Sequence, residues 1–333
     1  MKTILITWWL GYIGSHTAVV FAQKGYEIII IDNLSNTDIG VLKKLETLIG
    51  KQPKFYEIDL KNKSDLAKVF DENAIDGVIH FAAYKAVWES CENPFMYYEN
   101  NIGGGVNLYE AMNNHKVKNI VFSSSCTVYN SFDNQPPYDE STSLKTINPY
   151  GSTKLISEII LQDISTHKGF NTIALRYFNP IWAHPSGLIG ENPRGIPSNL
   201  LPYVYKVATG EYEKLNVRGN DYPTPDGTCI RDYLHVMDLA EAHVAAYEYL
   251  EKNEKQIWFY DVFNLGTGQG TSVLEIIQTT EKAINKKIPY VIAPFCYWRQ
   301  NGESRSYCHR LWRGWWWLWD WSRTFSQFLQ KKY

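Results

Sequence analysis

Lys2-Thr3-Ile4-Leu5-Ile6-Thr7-Trp8-Trp9-Leu10-Gly11-Tyr12-Ile13-Gly14-Ser15-His16 is the stretch that decides the fold. Its first half is apolar and β-branched, as in a strand covered on both faces. Gly11 and Gly14 then have the spacing of the last two glycines of a dinucleotide-binding turn. One lets the backbone approach a pyrophosphate and the other lets the next helix pack against the strand. The N-terminus of that helix offers free N–H groups and a favourable dipole to phosphate. Two glycines alone fit a plain turn equally well. The context decides: a buried strand before, a helix after, and an acid at the end of the next strand. Asp32 closes the run Ile28-Ile29-Ile30-Ile31. A carboxylate there accepts hydrogen bonds from an adenosine ribose and repels a 2′-phosphate, which favours NAD over NADP. Its plainer reading is a strand-end turn residue.

Outward from this unit, short β-branched runs alternate with longer amphipathic ones. Strands are expected at Lys2–Thr7, Tyr26–Asp32, Lys54–Asp59, Gly77–Ala82, Asn119–Ser125, Asn171–Tyr177 and Tyr260–Leu265. Helices are expected at Ser15–Lys24, Ser64–Asp71, Val106–Asn113 and Val236–Glu251. This alternation implies an α/β fold, a doubly wound parallel (Rossmann-like) sheet with right-handed crossovers. Residues 180–230 are rich in Pro, Gly and Asn and suit a smaller, loop-rich α/β substrate domain over the sheet's carboxyl edge. The expected division is 1–180, with 231–265 returning to it, as the dinucleotide-binding domain. Residues 181–230 and 266–333 form the substrate domain.

Composition narrows the function classes. The chain has 333 residues, 44% of them apolar, which suits one large domain and a smaller one. A formal net charge of −2 leaves no basic surplus for nucleic acid or an anionic membrane surface. No run reaches the roughly 20 apolar residues of a membrane helix. The N-terminus lacks the pattern of a signal peptide. Cys91, Cys126, Cys229, Cys296 and Cys308 form no Cys-x-x-Cys pair, so no metal site is expected, and reduced thiols in the cytoplasm are.

Chemistry concentrates in two later stretches. Ser123-Ser124-Ser125-Cys126-Thr127-Val128-Tyr129 ends a buried strand, and Pro149-Tyr150-Gly151-Ser152-Thr153-Lys154 opens a helix. Tyr150 and Lys154 are four residues apart and share a helical face. An ammonium beside a phenol favours the phenolate over its ordinary pKa of ~10. Such a tyrosine can take a proton from a sugar hydroxyl as hydride leaves the carbon, with Ser125 bonded to the same oxygen. A lone Tyr-x-x-x-Lys is usually a surface pair. Its coincidence with a Ser-rich strand end and a dinucleotide turn points to catalysis.

These motifs, with Arg176-Tyr177-Phe178-Asn179-Pro180, Ala183-His184-Pro185-Ser186-Gly187, Gly219-Asn220-Asp221-Tyr222-Pro223-Thr224 and Gly227-Thr228-Cys229-Ile230-Arg231-Asp232-Tyr233-Leu234-His235, resemble the UDP-galactose/UDP-glucose 4-epimerases of the extended short-chain dehydrogenase/reductase family. The resemblance covers roughly residues 1–294. It implies a tightly held NAD, Tyr150 as base, and Ser125 and Lys154 assisting. It implies cofactor contacts from Gly11, Tyr12, Ile13, Gly14, Asp32, Asn33, Asp59, Leu60, Phe81, Ala82, Lys85, Asn100, Ser123, Tyr150, Lys154 and Tyr177. The substrate, UDP-galactose or UDP-glucose, is expected at Ser125, Tyr150, Phe178, Asn179, Asn199, Leu200 and Arg231. A guanidinium at 231 forks onto diphosphate oxygens, its bland alternative being a salt bridge to Asp232 or another acid. A cytoplasmic homodimer acting in galactose metabolism is implied as well.

The chain departs from the family pattern at definite places. Trp8-Trp9 stand where the family has Gly-Gly, and Trp88 and Trp182 where it usually has Gly. Arg218 replaces a usual Phe and Gly105 a usual Thr. After Ala293-Pro294 the resemblance stops, and seven of the twelve tryptophans lie between Trp298 and Trp321. One substitution type recurring where an indole makes little physical sense points, together with the altered tail, to errors of reading or a frameshift in the recorded sequence. Taken as real, these residues weaken both NAD and UDP binding. Two alternatives follow. A nucleotide-sugar 4,6-dehydratase normally has an Asp-Glu pair where this chain has Cys126-Thr127, which disfavours it. A non-catalytic sugar-nucleotide sensor is motivated by Trp8 and Trp9 but has no need of Ser125, Tyr150 and Lys154 together.

Overall fold

The computed structural model describes residues 1–293 apart from Trp9, Phe132, Gln135 and 254–257, and the backbone of two short strands, Arg299–Gln300 and Glu303–Ser304. Trp9, Cys296, Cys308 and the tryptophan-rich tail therefore lie outside the described residues. Strands run β1 Thr3–Thr7, β2 Glu27–Asp32, β3 Lys54–Glu57, β4 Gly77–His80, β5 Asn119–Ser123 and β6 Asn171–Tyr177, then β7 Asn179–Ile181, β8 Leu215–Arg218, β9 Ile230–His235, β10 Phe259–Leu265, β11 Gly270–Ser272 and β12 Tyr290–Ala293.

Among the described residues, seven strands form one sheet in the order β10-β6-β5-β4-β1-β2-β3, with every pairing parallel. These are the seven expected strands. β3, β4 and β5 each end two residues earlier than expected, because the chain turns out of the sheet into loops at its carboxyl edge. The order reverses between β1 and β4, which opens a ligand crevice beyond their carboxyl ends.

Side-chain alternation explains why both faces are covered. Ile4, Ile6, Ile28 and Ile30 point into one cluster, with Val19 and Phe21 of the helix Tyr12–Gln23 and Leu239 and Tyr247 of the helix Val236–Lys252. Leu5, Ile29 and Ile31 point into the other, with Leu66 and Val69 of the helix Lys63–Asp71 and Leu108 and Met112 of the helix Gly104–Asn114. Each of these fully buried aliphatic side chains stabilises the fold by about 1.5–3 kcal/mol. Continuous apolar runs are the price of a sheet with no wet face.

The stretch 180–230 holds more regular structure than its composition indicates. It includes the helix Leu200–Ala208 and the strand β8, which pairs with β12. Val204, Val207, Leu215 and Val217 bury themselves against Ile277 and Ile288 from further along the chain. β9 pairs with β7 and β11 in a separate small sheet. No described helix is long and apolar enough to cross a membrane.

Candidate active site

Tyr150 is placed by a well-built helix start. Asn148 caps the helix Pro149–Lys168, its side chain accepting the Gly151 N–H at 2.8 Å, and Pro149 fills the first position. A Cβ on Gly151 would lie 2.9 Å from the Thr127 carbonyl oxygen, so only glycine lets this turn approach the end of β5. The approach brings Tyr150 near Ser125, whose hydroxyl favours the ionised phenol. The Ser125 Oγ accepts from the Thr127 N–H at 3.2 Å and hydroxyl at 3.0 Å, which fixes its direction. One turn on, the Lys154 Nζ donates to the Ser123 carbonyl at 2.7 Å. The Ser123 hydroxyl donates to the Tyr177 hydroxyl at 2.9 Å.

The sequence expects Lys154, helped by the charge of an oxidised nicotinamide, to draw the Tyr150 pKa down. In the ligand-free site burial raises it, Tyr177 adds to the rise, and only Ser125 opposes it. The reason is geometric: the ammonium serves the Ser123 carbonyl, and the Tyr150 ring centre is 6.0 Å from Nζ. Burial lowers the Lys154 pKa to about 7, against an opposing pull from Glu158. The ligand-free site thus disfavours both the phenolate and the ammonium.

Behind these groups sits a buried ion pair. The Arg176 Nε and Nη2 donate to the two Glu158 oxygens at 3.0 and 2.6 Å, and Ser124 donates to the same carboxylate. Arg176 and Glu158 are 3% and 2% exposed. Glu158 lies one turn beyond Lys154, so the pair ties the catalytic helix to β6 and the end of β5.

The expected cofactor residues gather along the carboxyl edge of the sheet. Gly11 stands at the N-cap of the helix Tyr12–Gln23 with no side-chain cap, so the first-turn N–H groups of Tyr12, Ile13 and Gly14 are left for another acceptor. Buried Asp32 accepts the Leu10 N–H at 3.0 Å, the Leu34 N–H at 2.8 Å and the Thr37 hydroxyl at 3.0 Å. It braces the turn as well as standing where a ribose would lie. Asn33 donates to Asp59 at 3.1 Å. Leu60 packs beneath Gly104. The Ala82 N–H reaches the Thr7 hydroxyl at 3.3 Å, joining β1 and β4 across the switch point, and Phe81 stacks near His243 with ring centres 4.7 Å apart. Asn100 bonds to Asn101, whose side chain holds the Tyr84 backbone on both sides. An uncapped helix start beside a buried carboxylate fits a dinucleotide diphosphate and ribose. The Trp8 side chain, edge-on to Tyr84 with ring centres 5.5 Å apart, is the one bulky group in that turn among the described residues.

The expected substrate residues are reached through links to this edge. The Phe178 N–H bonds to the Leu265 carbonyl at 3.1 Å, and the Asn179 side chain donates to the Asp232 carbonyl at 3.1 Å. Arg231 is 8% exposed and donates to its neighbour's carbonyl, from Ile230, at 2.6 Å. The Asp232 carboxylate takes the Thr267 N–H and hydroxyl and the Gly268 N–H. Leu200 begins the helix Leu200–Ala208 and packs in two apolar clusters. Asn199, its N-cap, donates to the Glu191 Oε1 at 2.5 Å. The same oxygen receives Lys85 at 2.9 Å. Sequence reasoning missed Glu191 and Glu158. Glu191 is a single acid in a Gly- and Pro-rich loop with no motif signal, and Glu158 lies on a helix whose local pattern does not name its partner across the fold.

An open parallel sheet with a dinucleotide crevice and a Ser–Tyr–Lys cluster at its carboxyl edge defines a protein of the short-chain dehydrogenase/reductase type. Residues 4–266 match the model of the NAD dependent epimerase/dehydratase family. The chain belongs to that family. It is 51% identical over 291 residues to the UDP-glucose 4-epimerase of Bacillus subtilis, covering 87% of this chain and 84% of the relative. It is 49% identical over 293 residues to the bifunctional protein gal10 of Schizosaccharomyces pombe, of whose length it spans 41%. Its fold superposes with a TM-score of 0.83 on the UDP-glucose 4-epimerase of Bifidobacterium longum solved with NAD+ and UDP. The identity there is 46%, covering 88% of this chain and 87% of that one.

Proposed function

We propose that the chain is a UDP-glucose 4-epimerase that interconverts UDP-galactose and UDP-glucose with a retained NAD. The observation that carries this reading is the Ser125–Tyr150–Lys154 cluster beside the switch-point crevice, in a chain 51% identical over 291 residues to a UDP-glucose 4-epimerase.

When bound, NAD supplies the hydride acceptor and donor for sugar C4, and its positive ring supplies the charge that the ligand-free site lacks. The chain's residues do the rest. Tyr150 takes the proton of the C4 hydroxyl as the keto sugar forms, and returns it when hydride comes back on the opposite face. Ser125, fixed by Thr127, bonds to the same oxygen and keeps it at the phenol. Lys154 orders the Ser123 backbone and carries the charge that favours phenolate once its ammonium is restored. Asp32 receives the ribose, and the N–H groups after Gly11 receive the diphosphate of the cofactor. Arg231, Asn179, Asn199, Leu200 and Phe178 hold the UDP end while the sugar turns.

A homodimer in the cytoplasm, working in galactose metabolism, belongs to the same proposal. Support for the dimer comes from apolar side chains exposed beside the site: Phe95 at 88%, Val106 at 42% and Ile159 at 50%. Light scattering of the purified protein measures that state. For the reaction itself, UDP-galactose deuterated at C4 is the test. The reading expects product with the deuterium retained at C4. Loss of the label to solvent would refute hydride transfer within the site.

A further inference from the structure

Two tryptophans hold a backbone conformation that bulky L residues avoid. Trp8 has φ +51° and Trp182 has φ +73°. Left-handed backbone is routine for glycine, tolerated by Asn, and an outlier for large side chains. Three other residues share it: Leu34 at φ +54°, Lys116 at φ +61°, and Asn285 at φ +50°, which ends a helix, where that conformation is common.

Both positions belong to one feature. Trp8 opens the turn after β1, its N–H bonded to the Ile31 carbonyl at 2.8 Å. Trp182 follows β7, and its carbonyl accepts the Tyr12 hydroxyl at 2.6 Å. Tyr12 begins the helix that faces the crevice, four residues after Trp8, so its hydroxyl ties the start of that helix to position 182. The Trp182 indole packs against Ile181, Leu201 and Ile276, but at both positions the left-handed backbone is one that glycine supplies without strain.

We infer that the protein made in its own cells carries glycine at positions 8 and 182, the codon read here as tryptophan being decoded there as glycine. A reassigned codon with these two meanings places tryptophan selectively where the fold asks for glycine. Independent mutations at separate sites have no reason to choose left-handed positions. Trp9 and Trp88 change with them if they share the codon. Glycine at 8 also removes the indole from the turn that faces the cofactor. That consequence rests on the epimerase reading, whereas the residue identities rest on the backbone alone.

Peptide mass spectrometry on the protein isolated from its own cells decides the matter. The tryptic peptides Thr3–Lys24 and Tyr177–Arg194 are expected to carry glycine at 8 and 182. Tryptophan at either position overturns the inference. A second measurement addresses the backbone argument separately, on protein expressed with the sequence as written. The double variant W8G/W182G is expected to melt at a higher temperature than the unsubstituted chain, without any ligand. An equal or lower midpoint contradicts the claim that the fold asks for glycine there.

Discussion

The Lys154 ammonium donates to the Ser123 carbonyl at 2.7 Å, while the ring centre of Tyr150 lies 6.0 Å away. The lysine that completes the Tyr-x-x-x-Lys motif is anchored to the strand end. Its pKa of about 7 follows from burial. A group that titrates lower when folded is held against protonation, so stability falls as pH drops from the unfolded value of 10.5 towards 7. Between pH 7 and 9, below the ordinary tyrosine range, the ligand-free protein is expected to gain stability with rising pH. Lys154→Met is expected to flatten that slope in urea unfolding. An unchanged slope in the variant would remove Lys154 as its source.

Tyr150→Phe keeps the ring and deletes the proton acceptor. We expect kcat to fall by about 10²–10⁴-fold, the usual contribution of a positioned acid–base group. Bound NAD should stay within error of the unsubstituted protein. Ser125→Ala removes the second contact to the same oxygen and should cost less, on the order of tenfold, or about 1.4 kcal/mol. Steady-state kinetics on both variants separates them. A Tyr150→Phe protein with near-normal kcat would assign the base elsewhere.

Arg176 and Glu158 form a two-pronged pair at 3.0 and 2.6 Å with almost no exposure. Removing one partner strands the other charge in the interior. Arg176→Met is therefore expected to cost about 3–5 kcal/mol of stability. Replacing both with apolar residues should recover much of that loss. Denaturant titration of the single and double variants checks the sign as well as the size.

Glu191 joins Lys85, on the cofactor side, to Asn199, on the substrate side, through one oxygen. Lys85 is 48% exposed, so water screens the pair and its worth is on the order of 1 kcal/mol, about fivefold in affinity. Glu191→Gln should raise KM for UDP-galactose and speed NAD release together, with kcat nearly unchanged. If only one of the two affinities moves, the bridge does not link the sites.

Much of this architecture was legible in the sequence, for physical reasons that differ by element. The inner strands of the sheet are doubly buried, so Ile28–Ile31 or Gly77–His80 announce themselves as apolar runs. Tyr150 and Lys154 are a fixed helical spacing apart, and Asn148-Pro149 marks the helix start in plain residues. The strand ends were harder, because leaving a sheet costs no change of composition. The hidden parts are tertiary. Which acid meets Arg176, which oxygen meets Lys85, and where the Lys154 ammonium goes depend on chain crossings that no local pattern encodes. The Tyr150 pKa in the ligand-free site is one such property: spacing gives proximity on a helix face, and burial raises the pKa.

The most direct measurement is conversion of UDP-galactose to UDP-glucose by the protein purified from its own cells, with no NAD added. The account predicts turnover sustained by the cofactor that the protein carries. No product, with added NAD also failing to restore it, would contradict the assignment of the Ser125–Tyr150–Lys154 cluster as a working epimerase site.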